Sequence, residues 1–419
     1  MYDFFFSFQS RRWCVGDWLF LPPNLSTFIV VKKQLILKKN EERRLIAGHQ
    51  WIFSNEISRI VGSPSTGDIA ELLRNDGKFL GVGFYHQHSL ICFRLLSREQ
   101  EEIDGSFFER KISQALQLRA SMSIDSNAYR LIHGEGDFLP GLIVDRYGDS
   151  LVLQTHSSGM DQRLPVICDA LESLLKPRVI VERNEHSLRT LEGLPLRAGI
   201  LRGNVEEALV LENGISFRVS LQEGQKTGLF LDQRENRARI RRYVKGKSVL
   251  DCFTNNGGFA LNAAAGGARS VLGMDSSAEA VRRAQHNATQ NAFSQLAFVE
   301  ADVFKWLEST ANEKTKYDVV ILDPPAFAKS KKTVSTALKG YREINTNAMK
   351  IISSGGFLAT ASCSHHVSLD AFLGTIQQSA ERAERRVQLL ETHSAGADHP
   401  SIPSMPETTY LKFCILAIE

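Results

Sequence analysis

Acidic residues that end short apolar runs suggest where this chain could do chemistry. Four such runs end in aspartate and a fifth ends in cysteine; the five residues are Asp251, Asp275, Asp302, Asp323 and Cys363. The aspartates are 24, 27 and 21 residues apart, about one strand plus one helix each. In an open α/β sheet, ligands bind beyond the carboxyl ends of the strands. Carboxylates there can accept hydrogen bonds from a ligand, and a thiolate can act as a nucleophile.

Each of these residues also has an ordinary structural explanation. A single aspartate after an apolar run commonly caps a helix or occupies a turn. A cysteine at a strand end is commonly a small buried hydrophobe. Four aspartates at the same place in successive units favour one shared ligand crevice over four independent caps.

The segment after Asp251 indicates close approach of a ligand to the backbone. It reads CFTNNGGFALNAAAGG, with glycines at 257 and 258 before a helical run. This is not G-x-G-x-x-G, so the dinucleotide fingerprint is absent and a nicotinamide dehydrogenase is disfavoured. Asp275 follows Asp251 by 24 residues, a distance at which an acidic side chain can accept from ribose hydroxyls.

The elements that must position these residues divide the chain into four parts. Residues 220–419 alternate apolar runs with helical patterns, which is typical of an α/β domain with a mostly parallel sheet. Residues 33–105 hold short strands punctuated by glycines, which predicts a small β-rich domain. Residues 106–219 predict a linking helix and a compact α+β domain. Residues 1–32 are aromatic and irregular and predict an extension outside the fold, either a real arm or a start-site artefact.

Composition excludes several classes of protein. With 419 residues, 43% hydrophobic and 23% charged, the chain is not disordered, collagenous or a coiled coil. Its formal net charge of +3 means that any nucleic-acid surface must be local. The six cysteines are scattered without metal-ligand spacing, which predicts a reducing compartment and no metal. No apolar run approaches the roughly 18 residues of a membrane span, so we expect a cytoplasmic protein with no membrane partner.

Longer motifs resemble a known family. DCFTNNGGFALNAAAGGARSVLGMDSS resembles motif I of class I S-adenosylmethionine-dependent methyltransferases, and DPPAFAKS resembles their motif IV. TGLFLDQRENR, GYREIN, SCS and ADHPSIPSMPETTYLK narrow the resemblance to the bacterial ribosomal RNA large subunit methyltransferase I family, which makes 5-methylcytosine in 23S rRNA. The similarity runs from about residue 33 to the end.

The resemblance implies a fold, a cofactor and a partner. The fold is an N-terminal PUA RNA-binding domain, a central α+β domain and a C-terminal Rossmann-like methyltransferase domain. The cofactor is S-adenosyl-L-methionine, and the partner is 23S ribosomal RNA. The residues that it assigns to the cofactor are Asp251, Asn255 and Gly257 near the methionine and ribose, Asp275 at the ribose, Asp302 at the adenine amino group, Asp323, and Asp232 and Gln233, which close over it.

For methylation of cytosine C5, the resemblance implies Cys363 as the nucleophile. C5 is a poor nucleophile, and addition of a thiolate at C6 makes it enamine-like. Asp323 would contact the N3 and N4 edge of the base. The substrate side would also include Pro324, Pro325, Phe327, Arg237 and Lys329. If a second cysteine were required, Cys252 is the local choice, although we expect it to pack in a strand; His365 and His366 are left out of the catalytic set.

Two basic stretches lie beside these motifs. Residues 234–247 contain seven Lys or Arg and one Glu, and residues 326–342 contain five basic residues and no acidic one. Such stretches fit attraction to a phosphate backbone, with coincidental surface charge as the alternative. Because the target base must leave its stack to reach a strand-end crevice, single-stranded or unfolded RNA is the expected substrate.

Two other functions stay open at this point. One is methylation of another base, such as guanine N2, with Cys363 structural. The other is a non-catalytic RNA-binding assembly protein that keeps the fold. The sequence also leaves the oligomeric state open, with a homodimer as one option.

Overall fold

The computed structural model describes residues 32–222, 228–313, 315–328 and 330–419. Lys329 and all but the last residue of the predicted extension 1–32 therefore lie outside the described residues. The described residues form a six-stranded, a five-stranded and a seven-stranded sheet in chain order, with a two-stranded hairpin between the second and third sheets.

The N-terminal part is a six-stranded, mostly antiparallel sheet. Its elements are β1 (Gln34–Leu37), α1 (Arg43–Ile46), β2 (Trp51–Phe53), β3 (Ile57–Val61), β4 (Ile69–Leu73), β5 (Phe79–Tyr85) and β6 (Ile91–Ser97). The strand order is β2-β6-β5-β4-β1-β3, and β1 and β4 are parallel. Alternating side chains such as Leu35 and Leu37 on β1 and Ala70 and Leu72 on β4 fill its core.

The central part is a five-stranded sheet covered by helices. Its elements are α2 (Gly105–Ala120), β7 (Ala128–His133), β8 (Leu142–Tyr147), β9 (Ser150–Thr155), α3 (Ser158–Gln162), α4 (Leu164–Leu175), β10 (Val179–Asn184), α5 (Leu188–Leu191) and β11 (Arg197–Gly203). The order is β11-β10-β9-β8-β7, with β9 and β10 parallel. Asp104 caps α2 by accepting from the Phe107 backbone N–H, and Phe108, Ile112 and Ala115 recur at helical spacing to bury one face of it.

A hairpin, β12 (Glu207–Glu212) and β13 (Ile215–Ser220), joins the central and C-terminal parts. Its buried side chains Val210 and Phe217 lie in one apolar cluster with Val152 of the central sheet and Leu261 of the C-terminal domain. Shared burial of this kind fixes the two parts against each other.

The C-terminal part is a seven-stranded, doubly wound sheet. Its elements are α6 (Arg234–Ile240), β14 (Ser248–Cys252), α7 (Gly258–Ala265), β15 (Ser270–Asp275), α8 (Ala278–Gln290), β16 (Leu296–Glu300), α9 (Val303–Thr310), β17 (Tyr317–Leu322), α10 (Val334–Ile351), β18 (Ile352–Ser362), α11 (Leu369–Ala383), β19 (Val387–His393) and β20 (Lys412–Ile418). The order is β16-β15-β14-β17-β18-β20-β19, with β20 antiparallel to both neighbours. β14, β17 and β18 lie side by side and are parallel.

A buried ionic network fastens the segment before β20 to the central sheet. The Asp398 carboxylate, fully buried, accepts from both Nη atoms of Arg234 at 3.1 and 2.9 Å and from the Arg130 backbone N–H at 2.8 Å. The Asp398 carbonyl accepts from Arg119, whose guanidinium also pairs with Asp137. Burial alone would raise the pKa of Asp398, but His399 and Arg234 hold it well below the usual range.

In the described ranges, no helix combines the length and the apolar character needed to cross a bilayer. The same ranges contain no group of three or more His, Cys, Asp or Glu side chains arranged to hold a metal ion.

Candidate active site

A cleft of about 450 Å³ opens at the carboxyl ends of β14, β15, β17 and β18. Its volume is within the range of small-molecule sites. Of the residues predicted for the site, it is lined by Asp232, Gln233, Arg237, Asn255, Asp275, Asp323, Pro324, Pro325 and Cys363. Lining residues that sequence reasoning missed include Phe230, Phe253, Thr254, Asn256, Phe259, Ser276, Ser277, Arg283 and Leu411. Except for Arg283, these residues lie within the quoted motifs, and that position was their only signal in the sequence.

The turn between β14 and α7 forms one wall of the cleft. Phe253, Asn255 and Gly257 have positive φ angles of 64°, 48° and 80°, so the chain winds tightly before the helix begins. The positive φ of Gly257 favours glycine, and a Cβ atom there would also displace the Leu261 side chain, whose Cδ1 would lie 2.5 Å away. Gly257 therefore shapes the turn and does not itself line the cleft.

Asp275 is held rigidly at the end of β15. Its Oδ2 accepts from the Asn255 backbone N–H and its Oδ1 from the Ser277 backbone N–H, each at 3.0 Å. The two donors belong to the turns that follow β14 and β15, so the carboxylate joins the two strand ends. A carboxylate with fixed orientation facing a cleft can accept hydrogen bonds from a pair of hydroxyl groups.

Asp251 lies beneath the cleft. One carboxylate oxygen accepts from Thr254 Oγ1 at 2.6 Å and from the Ala260 backbone N–H at 2.9 Å, while the other has no hydrogen-bond partner among the described residues. Burial first, and the nearby Asp323 and Asp275 carboxylates to a lesser extent, raise the pKa of Asp251 to about 7 against the lowering effect of these two hydrogen bonds. Asp251 therefore organises the turn.

Asp323 and Asp232 are oriented by residues around the start of α6 and the last strand. The Gln233 Nε2 donates to Asp323 Oδ1 at 2.7 Å, and the Asn236 Nδ2 donates to Gln233 Oε1 at 2.7 Å. The Tyr410 hydroxyl donates to Asp232 Oδ2 at 2.5 Å. The segment around 232–237 thus closes one side of the cleft next to the residue that follows β17.

Cys363 directly follows β18 and is partly exposed to the cleft. Its Sγ lies 3.7 Å from the carbonyl oxygen of Pro324. The neighbouring Ser364 hydroxyl accepts from the Ala328 backbone N–H at 3.1 Å and contacts the Tyr341 hydroxyl at 3.0 Å. The strand end that carries the thiol and the loop after Asp323 are therefore one structural unit.

Asp302 and Phe327, both predicted for the site, do not line the cleft, and Cys252 lies in the core. Asp302 is exposed and accepts from the Lys305 backbone N–H at 3.2 Å, so it caps α9 and is not among the residues that line the cleft. Phe327 packs on Tyr341 with ring centroids 4.6 Å apart and stands behind the lining. Cys252 is fully buried in the core, as expected, and its burial raises the pKa of the thiol well above the usual value.

The interpretation of residues 234–247 as a basic surface is wrong for its first arginines. Arg237 is 3% exposed, and its Nε and Nη2 donate to the Glu212 carboxylate at 2.8 and 2.6 Å. Arg234 is 2% exposed and pairs with Asp398. These charges are neutralised inside the protein, so Arg237 has a carboxylate partner in place of the RNA contact predicted for it. Lys331, Lys332 and Lys339 in the second stretch are exposed.

The cleft suits a nucleoside ligand that carries positive charge. One end presents the fixed Asp275 carboxylate, and the other presents Asp232 and Asp323. Aromatic and apolar side chains, among them Phe230, Phe253 and Leu411, also line the cleft. A sulfonium compound with a ribose, an adenine and an amino-acid end fits this donor and acceptor set.

Comparison with known proteins identifies two matched regions. Residues 35–98 match the model of a PUA-like domain, and residues 195–405 match the model of an S-adenosylmethionine-dependent methyltransferase. The chain is 39% identical over 388 residues to ribosomal RNA large subunit methyltransferase I of Klebsiella pneumoniae (strain 342), covering 90% of this chain and 96% of that protein. It is 38% identical over 386 residues to the protein of that name from Escherichia coli O139:H28, covering 90% and 98%.

Solved structures resemble the whole fold. The crystal structure of SMU.776 complexed with SAH has a TM-score of 0.80 at 23% identity, covering 92% of this chain and 99% of that one. A structure from Streptococcus mutans has a TM-score of 0.78 at 23% identity, with the same coverage. At this identity, the likeness extends to the fold alone.

Proposed function

The chain belongs to the ribosomal RNA large subunit methyltransferase I family of S-adenosylmethionine-dependent methyltransferases, and from this premise we propose that it makes 5-methylcytosine in 23S rRNA through a covalent bond to Cys363. The observation that carries the proposal is the position of the thiol. It lies at the end of β18, beside the loop that follows Asp323, in the same cleft as Asp275.

The proposed cofactor contacts follow the two ends of the cleft. Asp275 accepts from the ribose hydroxyls, and Asn255 and the turn around Gly257 cover the ribose and methionine region, with Asp251 supporting the turn from below. Asp232 and Gln233 close over the ligand from the side of α6. When bound, S-adenosylmethionine supplies an electrophilic methyl group.

The chain's own residues act on the base. The Cys363 thiolate forms a bond to cytosine C6, and the electron pair of the C5–C6 bond makes C5 nucleophilic toward the methyl group. After C5 is methylated it loses its proton to solvent, the C6–S bond breaks, and the thiolate is regenerated. N3 takes a proton from water as the C6–S bond forms, and Asp323, oriented by Gln233, accepts from the N3–H and the N4 amino group and so stabilises the addition product. Pro324 and Pro325 form the rigid lip beside the base.

The proposed RNA surface is smaller than charge counting predicted. It comprises the PUA-like sheet and the exposed lysines 331, 332 and 339 after the cleft, without Arg234 and Arg237. Because the thiol lies inside a cleft at the strand ends, the target base must be unstacked to reach it, which favours unfolded or single-stranded rRNA. Such a substrate implies a cytoplasmic enzyme.

Nucleoside mass spectrometry tests the proposal. Protein-free 23S rRNA from a strain lacking this gene is incubated with enzyme and labelled S-adenosylmethionine, beside Cys363→Ala and the matched control Cys252→Ala. We expect label in 5-methylcytosine with the wild type and with Cys252→Ala, and none with Cys363→Ala. Label in another base, or full activity of Cys363→Ala, would overturn the cytosine mechanism while keeping the methyltransferase.

A further inference from the structure

A buried lysine lies beside Cys363. Lys412 is the first residue of β20, which pairs antiparallel with β18 so that Lys412 is opposite Ser362. Its side chain is 7% exposed, and its Nζ donates to the carbonyl oxygens of Ser364 and Tyr410, each at 2.7 Å. The ammonium therefore holds the backbone directly after Cys363, the nucleophile proposed above.

The charge of this ammonium is not matched by a carboxylate. Within the described ranges, no Asp or Glu lies within salt-bridge distance of Lys412, and its hydrogen-bond acceptors are two neutral carbonyl groups. Burying a cation without a counter-ion costs free energy. A neutral donor could make the same two hydrogen bonds to the carbonyl groups, so these bonds do not explain why a charged residue is buried here. A nearby anion would explain it, and the Cys363 thiolate can be that anion.

In the part of the chain that the structure describes, the other titratable groups around the thiol include a carboxylate, two phenols and an imidazole. Asp323 from the end of β17 opposes a thiolate, and the Tyr341 phenol on α10 and the Tyr410 phenol before β20 are neutral at pH 7. His365 lies two residues after Cys363, and its ring centroid is 5.0 Å from that of Tyr410. Burial lowers the pKa of Lys412 to about 8 against the opposing influence of Cys363, which favours the ammonium. By linkage the ammonium favours the thiolate in return.

We propose that Lys412 is a positioning residue that keeps Cys363 in its reactive thiolate form and fixes the backbone of its strand end. The inference rests on Cys363 being the nucleophile for catalysis, but the coupling between the two side chains does not require turnover. The thiol gives its proton to solvent, and the buried ammonium stabilises the sulfur anion that remains.

The rate of alkylation by iodoacetamide measures the thiolate without methylation. It is followed from pH 5.5 to 10 by mass spectrometry of the peptide that contains Cys363, in the wild type, Lys412→Met and Lys412→Arg. We expect Lys412→Met to alkylate about tenfold more slowly at pH 7 and to reach the wild-type rate at high pH, a shift of about one unit in the midpoint. Lys412→Arg keeps the charge and should remain within about threefold of the wild type. Superimposable pH profiles for wild type and Lys412→Met would overturn the proposal.

A second measurement needs no variant. The quantity compared is the alkylation rate of Cys363 at pH 7 divided by its rate at high pH. This ratio should be several-fold higher in the folded wild type than in a free peptide of residues 358–369. An equal or lower ratio in the folded protein would overturn the proposal even if Lys412→Met failed to fold. Retained methylation by Cys363→Ala would instead refute the proposed function and leave the alkylation result standing.

Discussion

The ion pair between Glu212 and Arg237 offers a quantitative test of how the cleft wall is built. Glu212 ends β12 with a fully buried side chain, and Arg237 on α6 lines the cleft with its guanidinium 3% exposed. Two hydrogen bonds of 2.8 and 2.6 Å join them. Glu212→Gln removes the negative charge at nearly constant volume and leaves a buried cation without its counter-ion.

The expected loss is large. Breaking a buried pair by removing one charge costs about 3–5 kcal/mol, and the amide oxygen of Gln still accepts one bond, so we expect about 3 kcal/mol. For a domain of this size that lowers the melting temperature by roughly 6–12 °C, at about 2–4 °C per kcal/mol. The assay is thermal unfolding of the full chain followed by circular dichroism.

A double-mutant cycle separates the pair from its surroundings. Arg237→Met alone leaves the carboxylate unpaired and should cost a similar amount, whereas Glu212→Gln/Arg237→Met should lose less than the sum, with a coupling of roughly 2–3 kcal/mol. Additive losses would refute the reasoning. The reasoning would also be refuted if the Arg237→Met variant melted like the wild type but bound RNA more weakly and with a smaller dependence on salt, because a phosphate contact behaves in that way.

Two further predictions concern the aspartates. Asp251 has a folded-state pKa of about 7, above its unfolded value, so its contribution to stability is present at low pH and is lost as pH rises through 7. Relative to the wild type, Asp251→Asn should therefore gain about 2 kcal/mol between pH 5 and 7 in thermal unfolding, and a constant difference would contradict this. Asp275→Asn should weaken S-adenosylmethionine binding, measured by calorimetry, by about 10- to 100-fold because a charged acceptor is lost. The control Asp302→Asn keeps the cap of α9 and should bind S-adenosylmethionine like the wild type. Equal losses of affinity in the two variants would contradict the assignment of Asp275 to the cofactor.

Much of the cleft could be predicted from local pattern. Apolar runs followed by Asp275, Asp323 and Cys363 mark strand ends, and parallel pairing of β15, β14, β17 and β18 brings those ends to one edge of the sheet. The same pattern could not tell a ligand contact from a cap. Asp302 satisfies the N–H of Lys305, three residues away, and no feature of the run before it separates it from Asp275.

The inward arginines and the lysine beside Cys363 depend on partners far along the chain. Arg237 meets Glu212, 25 residues before it, and Arg234 meets Asp398, 164 residues after it. Counting charges in a window cannot find such partners, because both come together only when the hairpin and the segment before β20 pack on α6. Likewise Lys412 reaches the end of β18 only through the antiparallel register of β20.

Covalent trapping tests the central claim most directly. RNA in which 5-fluorocytosine replaces cytosine lets the thiolate add and C5 accept the methyl group, but fluorine cannot leave as a cation, so the C6–S bond is not released. We predict an adduct that survives denaturation, depends on S-adenosylmethionine, maps to the peptide containing Cys363 and is absent in Cys363→Ala. No adduct under conditions where unmodified RNA is methylated, or an adduct that maps to Cys252, would contradict the account.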